Sequence, residues 1–548
     1  MVFRSSDHGR SWTAISPDLT RNDKSKQEPS GGLITKDNTS VEFYDTVFTI
    51  AESPRQKDLL WVGTDDGLIQ LSRDGGKNWQ NVTPKGFPEW SLVSLIEAAP
   101  HDPAIAYAAV DAHKVDDLKP YIYKTGDYGK TWTKITNGIP DGAYVHAVRE
   151  DLVKAGMLYA GTETGVFVSY DNGLNWQPLQ LNLPVTAIHD LVLKNDDLVV
   201  ATHGRSFWIL DHISPLREFG GRAPEGEMSL LTPDPTYRVH FAEQFERNRP
   251  VGENPPNGAI LTYYFKRAPK GEVTLEILDD KGAVVRRFSN ADKKEPETPP
   301  EWPDLRAPAD KITAAAGLNR FAWDLRYDGP QKLPGEVLAE LRSRGPIAPP
   351  GNYQAKLTAE GKSLTVPLEL KMDPRVSASA SDIQNEFGLE LKVRDVLSEL
   401  HDTVREIRET RVQLRGLRSR LEDARFKAIS DGAQALDTKM TPIEEQLLQV
   451  KAKSSEANLN YPDMLDEQLH YLMFSVEVDD LPTQQQYAAF EALNQKTEPL
   501  IAQWKELRSR DLVALNDMIK QNVPAIYLGS GENPARASKA TGEIHKYK

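Results

Sequence analysis

The apolar positions change their period twice along the chain. Through about residue 215 they come as short alternating or β-branched runs closed by turn residues. Leu60-Trp61-Val62-Gly63-Thr64 leads through Asp65-Asp66-Gly67 into Leu68-Ile69-Gln70-Leu71. Leu158-Tyr159-Ala160-Gly161-Thr162 leads through Glu163-Thr164-Gly165 into Val166-Phe167-Val168-Ser169 in the same way. This alternation predicts antiparallel strands, with a further strand ahead of each pair at 46–51, 92–98, 145–149 and 187–193. From about 229 to 374 the alternation continues at 259–265, 272–278, 284–288, 317–325 and 351–357, with proline-rich breaks at 296–303 and 346–350, as half-buried strands of a sandwich do.

From about 380 the period becomes helical. Val393, Leu397, Leu400, Val404, Ile407 and Leu414 stand at three- and four-residue steps, a core-facing seam. Arg411 interrupts it and Arg418 follows, which favours a bundle over a long zipper, and Asp382 suits a first turn. Further helices are predicted at 443–450, at 464–476 after Pro462, and along Tyr487, Phe490, Leu493, Leu500, Trp504, Leu507, Leu515 and Ile519. Ser430-Asp431 and Asp480-Leu481-Pro482 read as breaks. The expected order is a β-propeller part at 1–215, a sandwich at 229–374, a helical hairpin or bundle at 380–523, and an extended tail or partner-binding strap at 524–548.

The propeller expectation rests on a repeated motif. Ser5-x-Asp7-x-Gly9-x-x-Trp12 recurs as Ser72-x-Asp74-x-Gly76-x-x-Trp79, Thr125-x-Asp127-x-Gly129-x-x-Trp132 and Ser169-x-Asp171-x-Gly173-x-x-Trp176. A carboxylate can accept from nearby main-chain N–H groups and pin a turn, glycine permits positive φ, and tryptophan covers the hairpin. Four copies in register are the signature of a repeat architecture. Each repeat reads as a four-stranded blade with the motif between its third and fourth strands. The first copy lacks strands one and two, and the last (185–211) has three strands and no motif. This makes roughly four and a half blades, where closed propellers usually carry more. Either the chain is a fragment, or a second chain, or a second copy, supplies the remaining blades.

The motif resembles that of the bacterial neuraminidase repeat, or Asp-box, superfamily, which includes sialidases, xyloglucanases and sortilin-type ectodomains. The stretches 11–23, 32–39, 51–54 and Thr202-His203-Gly204-Arg205-Ser206-Phe207-Trp208-Ile209-Leu210-Asp211 are similar to large bacterial sortilin-like or "glycosyl hydrolase" repeat proteins. That resemblance implies a periplasmic or extracellular protein, and members about twice this length that begin with a secretion signal, which is missing here. Trp323-Asp324 with Gly329, and Pro349-Pro350-Gly351-Asn352-Tyr353, resemble the immunoglobulin-like module of flagellar hook-capping proteins. The fold class expected is thus mainly β with a helical C-terminal part: partial β-propeller, immunoglobulin-like β-sandwich and helical bundle.

Composition narrows the chemistry. A net charge of −14 argues against general nucleic-acid binding, which needs a basic surface. No long apolar run predicts a membrane span, and residues 1–4 do not open a signal peptide. With no cysteine, disulfides, thiolate zinc sites and cysteine nucleophiles are excluded together.

Blade geometry selects one face. The loop between strands two and three opens beside the lead-in to strand one, and the motif turns open opposite. Asp7, Asp74, Asp127 and Asp171 are therefore read as structural. The other face collects Asp37, Asn38, Glu42, Tyr44, Asp45, Asp65, Asp66, Trp90, Asp111, His113, Tyr121, Tyr144, His146, Glu163, His203 and Arg205. Aromatic rings can stack on sugars while acids bond hydroxyls. Of these, Glu42, Tyr44, Trp90, His113, Tyr144, His146, Glu163, His203 and Arg205 are candidate ligand contacts. Asp45, Asp65 and Asp66 are the candidate catalytic carboxylates, since glycoside hydrolysis needs two carboxylates flanking a bond. A sialidase would need three arginines here, and only Arg205 is found. His113, His146 and His189 lack the i, i+4 partner of a helical zinc site, so no metal and no cofactor are expected.

Two functions follow. The first is a non-catalytic binding and assembly protein whose propeller face takes a glycan or a protein or peptide partner. The alternative is a secreted or periplasmic glycoside hydrolase acting on a polysaccharide. A sortilin-type receptor holding a peptide in its tunnel is a third.

Overall fold

A computed structural model describes residues 1–29, 31–36, 44–239, 252, 255–291, 312–333, 344–421, 424–453 and 459–522. The tail expected at 524–548, the break at 296–303, and Asp37, Asn38 and Glu42 lie outside these residues. The chain divides into two compact units, 1–225 and 226–548.

The first unit is a partial β-propeller. A hairpin of β1 (Phe3–Arg4) and β2 (Thr13–Ala14) opens it. Three four-stranded blades follow. The first is β3 (Val47–Glu52), β4 (Leu60–Thr64), β5 (Ile69–Ser72) and β6 (Gln80–Asn81). The second is β7 (Leu92–Ala98), β8 (Ala106–Asp111), β9 (Tyr121–Thr125) and β10 (Thr133–Lys134). The third is β11 (Val145–Glu150), β12 (Leu158–Thr162), β13 (Gly165–Ser169) and β14 (Gln177–Pro178). A three-stranded sheet of β15 (Ile188–Lys194), β16 (Asp197–Thr202) and β17 (Phe207–Leu210) comes last, then a short helix α1 (Ser214–Phe219). Each motif joins a third strand to a fourth.

Within the motif the aspartate is fully engaged. Asp127 accepts the N–H of Thr131 at 2.9 Å and its hydroxyl at 2.7 Å, while the Thr125 hydroxyl donates to it at 2.9 Å. Asp74 and Asp171 use Asn78 and Asn175 in the same way, and Asp7 uses Ser11. The residue before each tryptophan is thus a fifth motif position. The Asn78 and Ser11 contacts hold the carboxyls of Asp74 and Asp7 down to about 2.

The tryptophan does more than cover its own turn. The Trp79 indole donates to the Ile15 carbonyl at 2.9 Å, Trp132 to Val82 at 2.8 Å and Trp176 to Ile135 at 2.8 Å. Each acceptor lies three residues past the tryptophan of the preceding copy, so each motif fastens its blade to the one before. The motif glycine faces that same segment. A Cβ on Gly129 would meet Val82 at 2.8 Å and one on Gly173 would meet Ile135 at 2.4 Å, and both residues have positive φ (+78° and +84°). Trp12 makes no such reach among the described residues; its indole donates to the Gly9 carbonyl and it is 62% exposed. Trp176→Phe is therefore expected to destabilise the first unit by about 1–2 kcal/mol, because the buried Ile135 carbonyl loses its donor. Trp12→Phe should stay within about 0.5 kcal/mol. Urea denaturation of both variants checks this, and equal losses would remove the fastening role.

Apolar side chains lie open on β3 (Phe48 and Ile50), the first strand of the blade that follows the two-stranded hairpin, and on β17 (Phe207 and Ile209) of the last sheet.

The second unit begins as an immunoglobulin-like sandwich. One sheet orders β18 (Met228–Leu230), β20 (Ala259–Phe265) and β23 (Gly317–Trp323). The other orders β19 (Thr236–Arg238), β25 (Lys362–Met372), β24 (Gly351–Ala359), β21 (Val273–Leu278) and β22 (Val284–Ser289). Leu261, Tyr263, Phe265, Leu275, Ile277, Trp323 and Leu357 meet between them. The sequence reading lacks β18, β19 and β25, and Pro367, which cannot donate to a strand ladder, lies inside the last of them. The structure tolerates it. β25 pairs with β19 only at Leu370–Met372, so Pro367 needs no donor on that side.

Four helices then share one core: α2 (Ala380–Arg418), α3 (Lys427–Leu447), α4 (Leu465–Val476) and α5 (Gln484–Asn522). A capping box of Ser379 and Asp382 starts α2. The expected break at Ser430-Asp431 is corrected: both lie inside α3. Asp431 is exposed and pairs with Lys427 one turn back, while Ile429, Ala433, Leu436 and Met440 carry the buried seam. Arg411, the seam's interruption, bridges to Asp437 at 2.7 Å and to Glu444.

A buried ionic network ties sandwich to helices. Arg238 of β19 contacts Glu386 of α2 at 3.0 Å and Asp479 at 2.7 Å; all three are buried. Arg326 grips Glu477 at 2.6 and 2.7 Å. Between them Glu390 is fully buried with neither carboxyl oxygen hydrogen-bonded. Burial, reinforced by Glu477 and Glu386, pushes its carboxyl up to about 9.

Candidate functional site

Hydrogen bonds fix which loops share a rim. The turn from strand two to strand three donates to the residue ahead of strand one: Asp65 N–H to Thr46 O at 3.1 Å, Glu163 to Tyr144 at 3.0 Å, His203 to Ala187 at 2.9 Å. The motif turns bond instead to the turn between strands one and two, as Tyr128 to Ala104 at 3.1 Å and Asn172 to Gly156 at 2.9 Å. Asp65, Tyr144, Glu163 and His203 therefore stand at the rim opposite the motifs.

A second device shapes that rim. Every first strand has a register shift near its start: at the second residue for Phe48, His146 and His189, and at the third for Ser94. Such bulges re-aim a side chain. In the third and fourth sheets the bulged residue is histidine.

The structure brings these side chains into one row. The His113 and Tyr144 rings stack at 4.9 Å, Tyr144 meets the edge of His146 at 5.2 Å, His146 stacks on His189 at 4.7 Å, and His189 meets His203 at 4.9 Å. Two carboxylates flank the row. Buried Asp111 accepts from His113 Nδ1 at 2.7 Å and lies 3.7 Å from His146, and Glu163 holds His146 Nε2 at 3.1 Å. Burial, then Glu163 and Asp111, pushes the Tyr144 hydroxyl up to about 12, so it stays a phenol. Burial and the neighbouring His146 and His203 push His189 down, favouring its neutral ring. The expectation of lone histidines is thus replaced by a contiguous set. Aligning the four first strands puts His146 and His189 in one column, the part of the set that the sequence signals. Arg205 is exposed; its main-chain N–H donates to the Thr202 hydroxyl and its carbonyl accepts from the Trp208 indole.

The three candidate catalytic carboxylates form a separate group. Asp65 is saturated by Thr46, which donates its N–H at 2.7 Å and its hydroxyl at 2.8 Å. Asp66 is fully buried and accepts the Arg21 N–H at 2.6 Å and the Thr64 hydroxyl. Burial, with Asp45 close by, pushes the Asp66 carboxyl up to about 6. Asp45, at positive φ, takes one bond from Gln27 at 2.9 Å. Trp90 lies alongside: its ring is 5.7 Å from Tyr44, 5.0 Å from the Arg21 guanidinium and 5.4 Å from the Lys26 ammonium. Arg21 is a contact that the strand pattern does not reveal, since it comes from the long segment after β2.

No protein-family model matches the chain, and no curated protein matches it. Among solved structures it is similar to YCF48 bound to D1 peptide, at 17% identity over 30% of this chain and 52% of that one, with a TM-score of 0.25. YCF48 from Cyanidioschyzon merolae gives 16% over 30% and 52%, TM-score 0.23. The GH74 xyloglucanase from Xanthomonas campestris gives 12% over 66% and 62%, TM-score 0.28. The chain spans about half the length of the YCF48 chains it matches.

Proposed function

We propose that this chain is a binding and assembly protein whose propeller rim takes a glycan, with a peptide as the competing ligand. One observation carries the reading: the unbroken row His113, Tyr144, His146, His189, His203 with Asp111 and Glu163 beside it. Flat rings give sugar faces a stacking surface, and adjoining carboxylates accept sugar hydroxyls. The row is built from three successive sheets and stands on bulged strands, so it is held by the scaffold. The open apolar faces at Phe48, Ile50, Phe207 and Ile209 support the assembly part: further blades, on a second chain or a second copy, would cover them. The motif resemblance supports a periplasmic or extracellular setting.

The test is a glycan and peptide array probed with the full chain, followed by calorimetric titration of the best ligand. Tyr144→Ala and His146→Ala should each weaken binding at least about tenfold, or 1.4 kcal/mol, while Asp127→Ala changes it little. Unaltered affinity in both rim variants would sink the proposal.

Glycoside hydrolysis stands second, favoured by Asp66 alone. A buried carboxyl with its proton affinity raised beside another carboxylate is what a general acid requires. Asp66→Asn should then abolish release of reducing sugar from a polysaccharide without abolishing binding.

A further inference from the structure

The helical bundle holds a cluster that the function above does not use. His401 of α2, and Asp466 and His470 of α4, are all fully buried or nearly so, and their donor atoms lie within 4.8 Å of one another. His401 points Nε2 at Asp466 Oδ1 at 2.7 Å and Nδ1 at the main-chain oxygen of Gln331. His470, one helical turn after Asp466, lies with Nδ1 at 3.0 Å from the Asp466 main-chain oxygen and 3.5 Å from its carboxylate. The second oxygen of Asp466 is buried and accepts no hydrogen bond.

Charge makes this arrangement informative. Both ring nitrogens of His401 face acceptors, and neither a carbonyl oxygen nor an ionised carboxylate has a proton to give. A positive charge must therefore stand at the His401–Asp466 contact, either as a ring proton or as a metal ion. An anion is expensive to bury unpaired, yet Asp466 keeps an oxygen in reserve. Two imidazoles and one carboxylate are the donor set of zinc-class ions, and a ligating histidine typically sets its other nitrogen on a main-chain carbonyl, as His401 does.

We infer that His401, Asp466 and His470 form a binding site for a divalent zinc-class metal ion inside the bundle. Loading replaces the proton at the His401–Asp466 contact with a doubly charged ion: that proton leaves to solvent, the His470 proton moves from Nδ1 to Nε2 so that Nδ1 can ligate, and the site gains one net positive charge. Donors of a tetrahedral ion sit about 3.3 Å apart at bond lengths near 2.0–2.1 Å. The 3.5 Å separation already suits this, and the 2.7 Å one must open by roughly half an ångström. Three protein donors leave a fourth position for an enclosed water. Because the site is closed to solvent, the ion enters as the bundle folds and leaves only when it opens.

The full chain is unfolded with chelator, then refolded with Zn²⁺ or Co²⁺ and dialysed exhaustively. One ion per chain is expected, with the visible absorption of tetrahedral Co²⁺ and a higher unfolding midpoint than the chelator-refolded chain. His470→Gln and Asp466→Asn should lose the ion, and His146→Ala should keep it. If wild type refolded with either metal holds none, the inference fails, whether or not the variants fold. It fails equally if the ion is lost with His146→Ala but kept by His470→Gln, since the metal then belongs to the rim.

Discussion

Arg238→Met lowers the stability of the second unit by about 3–5 kcal/mol, the cost of leaving a buried charge without its partner. Arg238 supplies the positive charge that faces both Glu386 and Asp479, and all three are cut off from water. Its Nη1 also donates to the main-chain oxygen of Ile347 at 3.3 Å, so removing the guanidinium orphans an acceptor as well. The same physics predicts recovery. Adding Glu386→Gln and Asp479→Asn to Arg238→Met removes the two stranded anions and should restore most of the loss. Urea denaturation, with hydrogen exchange followed on α2 peptides, gives both numbers. A single variant within about 1 kcal/mol of wild type would show that the network is not what joins sandwich to helices.

Glu390→Gln acts in the opposite direction. In the folded chain the Glu390 carboxyl titrates at about 9, against 4.5 for an exposed glutamate. Between these values the folded state holds a proton that the unfolded state has released. The sign follows from linkage: this contribution is fully present below about pH 4.5 and is lost progressively as pH rises toward 9. Its slope is on the order of 1.4 kcal/mol per pH unit. Glutamine keeps the shape and carries no ionisation, so the variant should be more stable than wild type by a few kcal/mol at pH 8. The gap should close near pH 4. A gap that stays constant across this range would mean that Glu390 ionises normally inside the fold.

The repeat carried most of what could be read in advance. Four copies of one motif mark where third strands end and fourth begin, and the alternating runs between them place the other strands. The rim was legible only in part. That loops after strand two meet lead-ins to strand one follows from blade topology, so Glu163 and His203 could be placed without coordinates. Strand alignment gives only the column shared by His146 and His189; the ring contacts that run from His113 through Tyr144 and His146 to His189 could not be read, because they cross from sheet to sheet. The break misplaced at Ser430-Asp431 shows the reverse weakness. Polar residues on a helix's exposed face look like a turn until the buried seam on its other side is traced. His401 and His470 escaped for a related reason: Asp466 and His470 stand four apart on a predicted helix, but their third member lies on another helix far away in sequence.

The tryptophan contacts between blades have a direction, and that direction matches the order of synthesis. At every such junction the carbonyl acceptor, Ile15, Val82 or Ile135, leaves the ribosome before the indole that will bind it. A finished blade therefore presents a ready dock, and the next one closes onto it as soon as its own motif emerges, without waiting for anything downstream. The row can be laid down vectorially, one blade at a time, like courses of brick that each key into the course below.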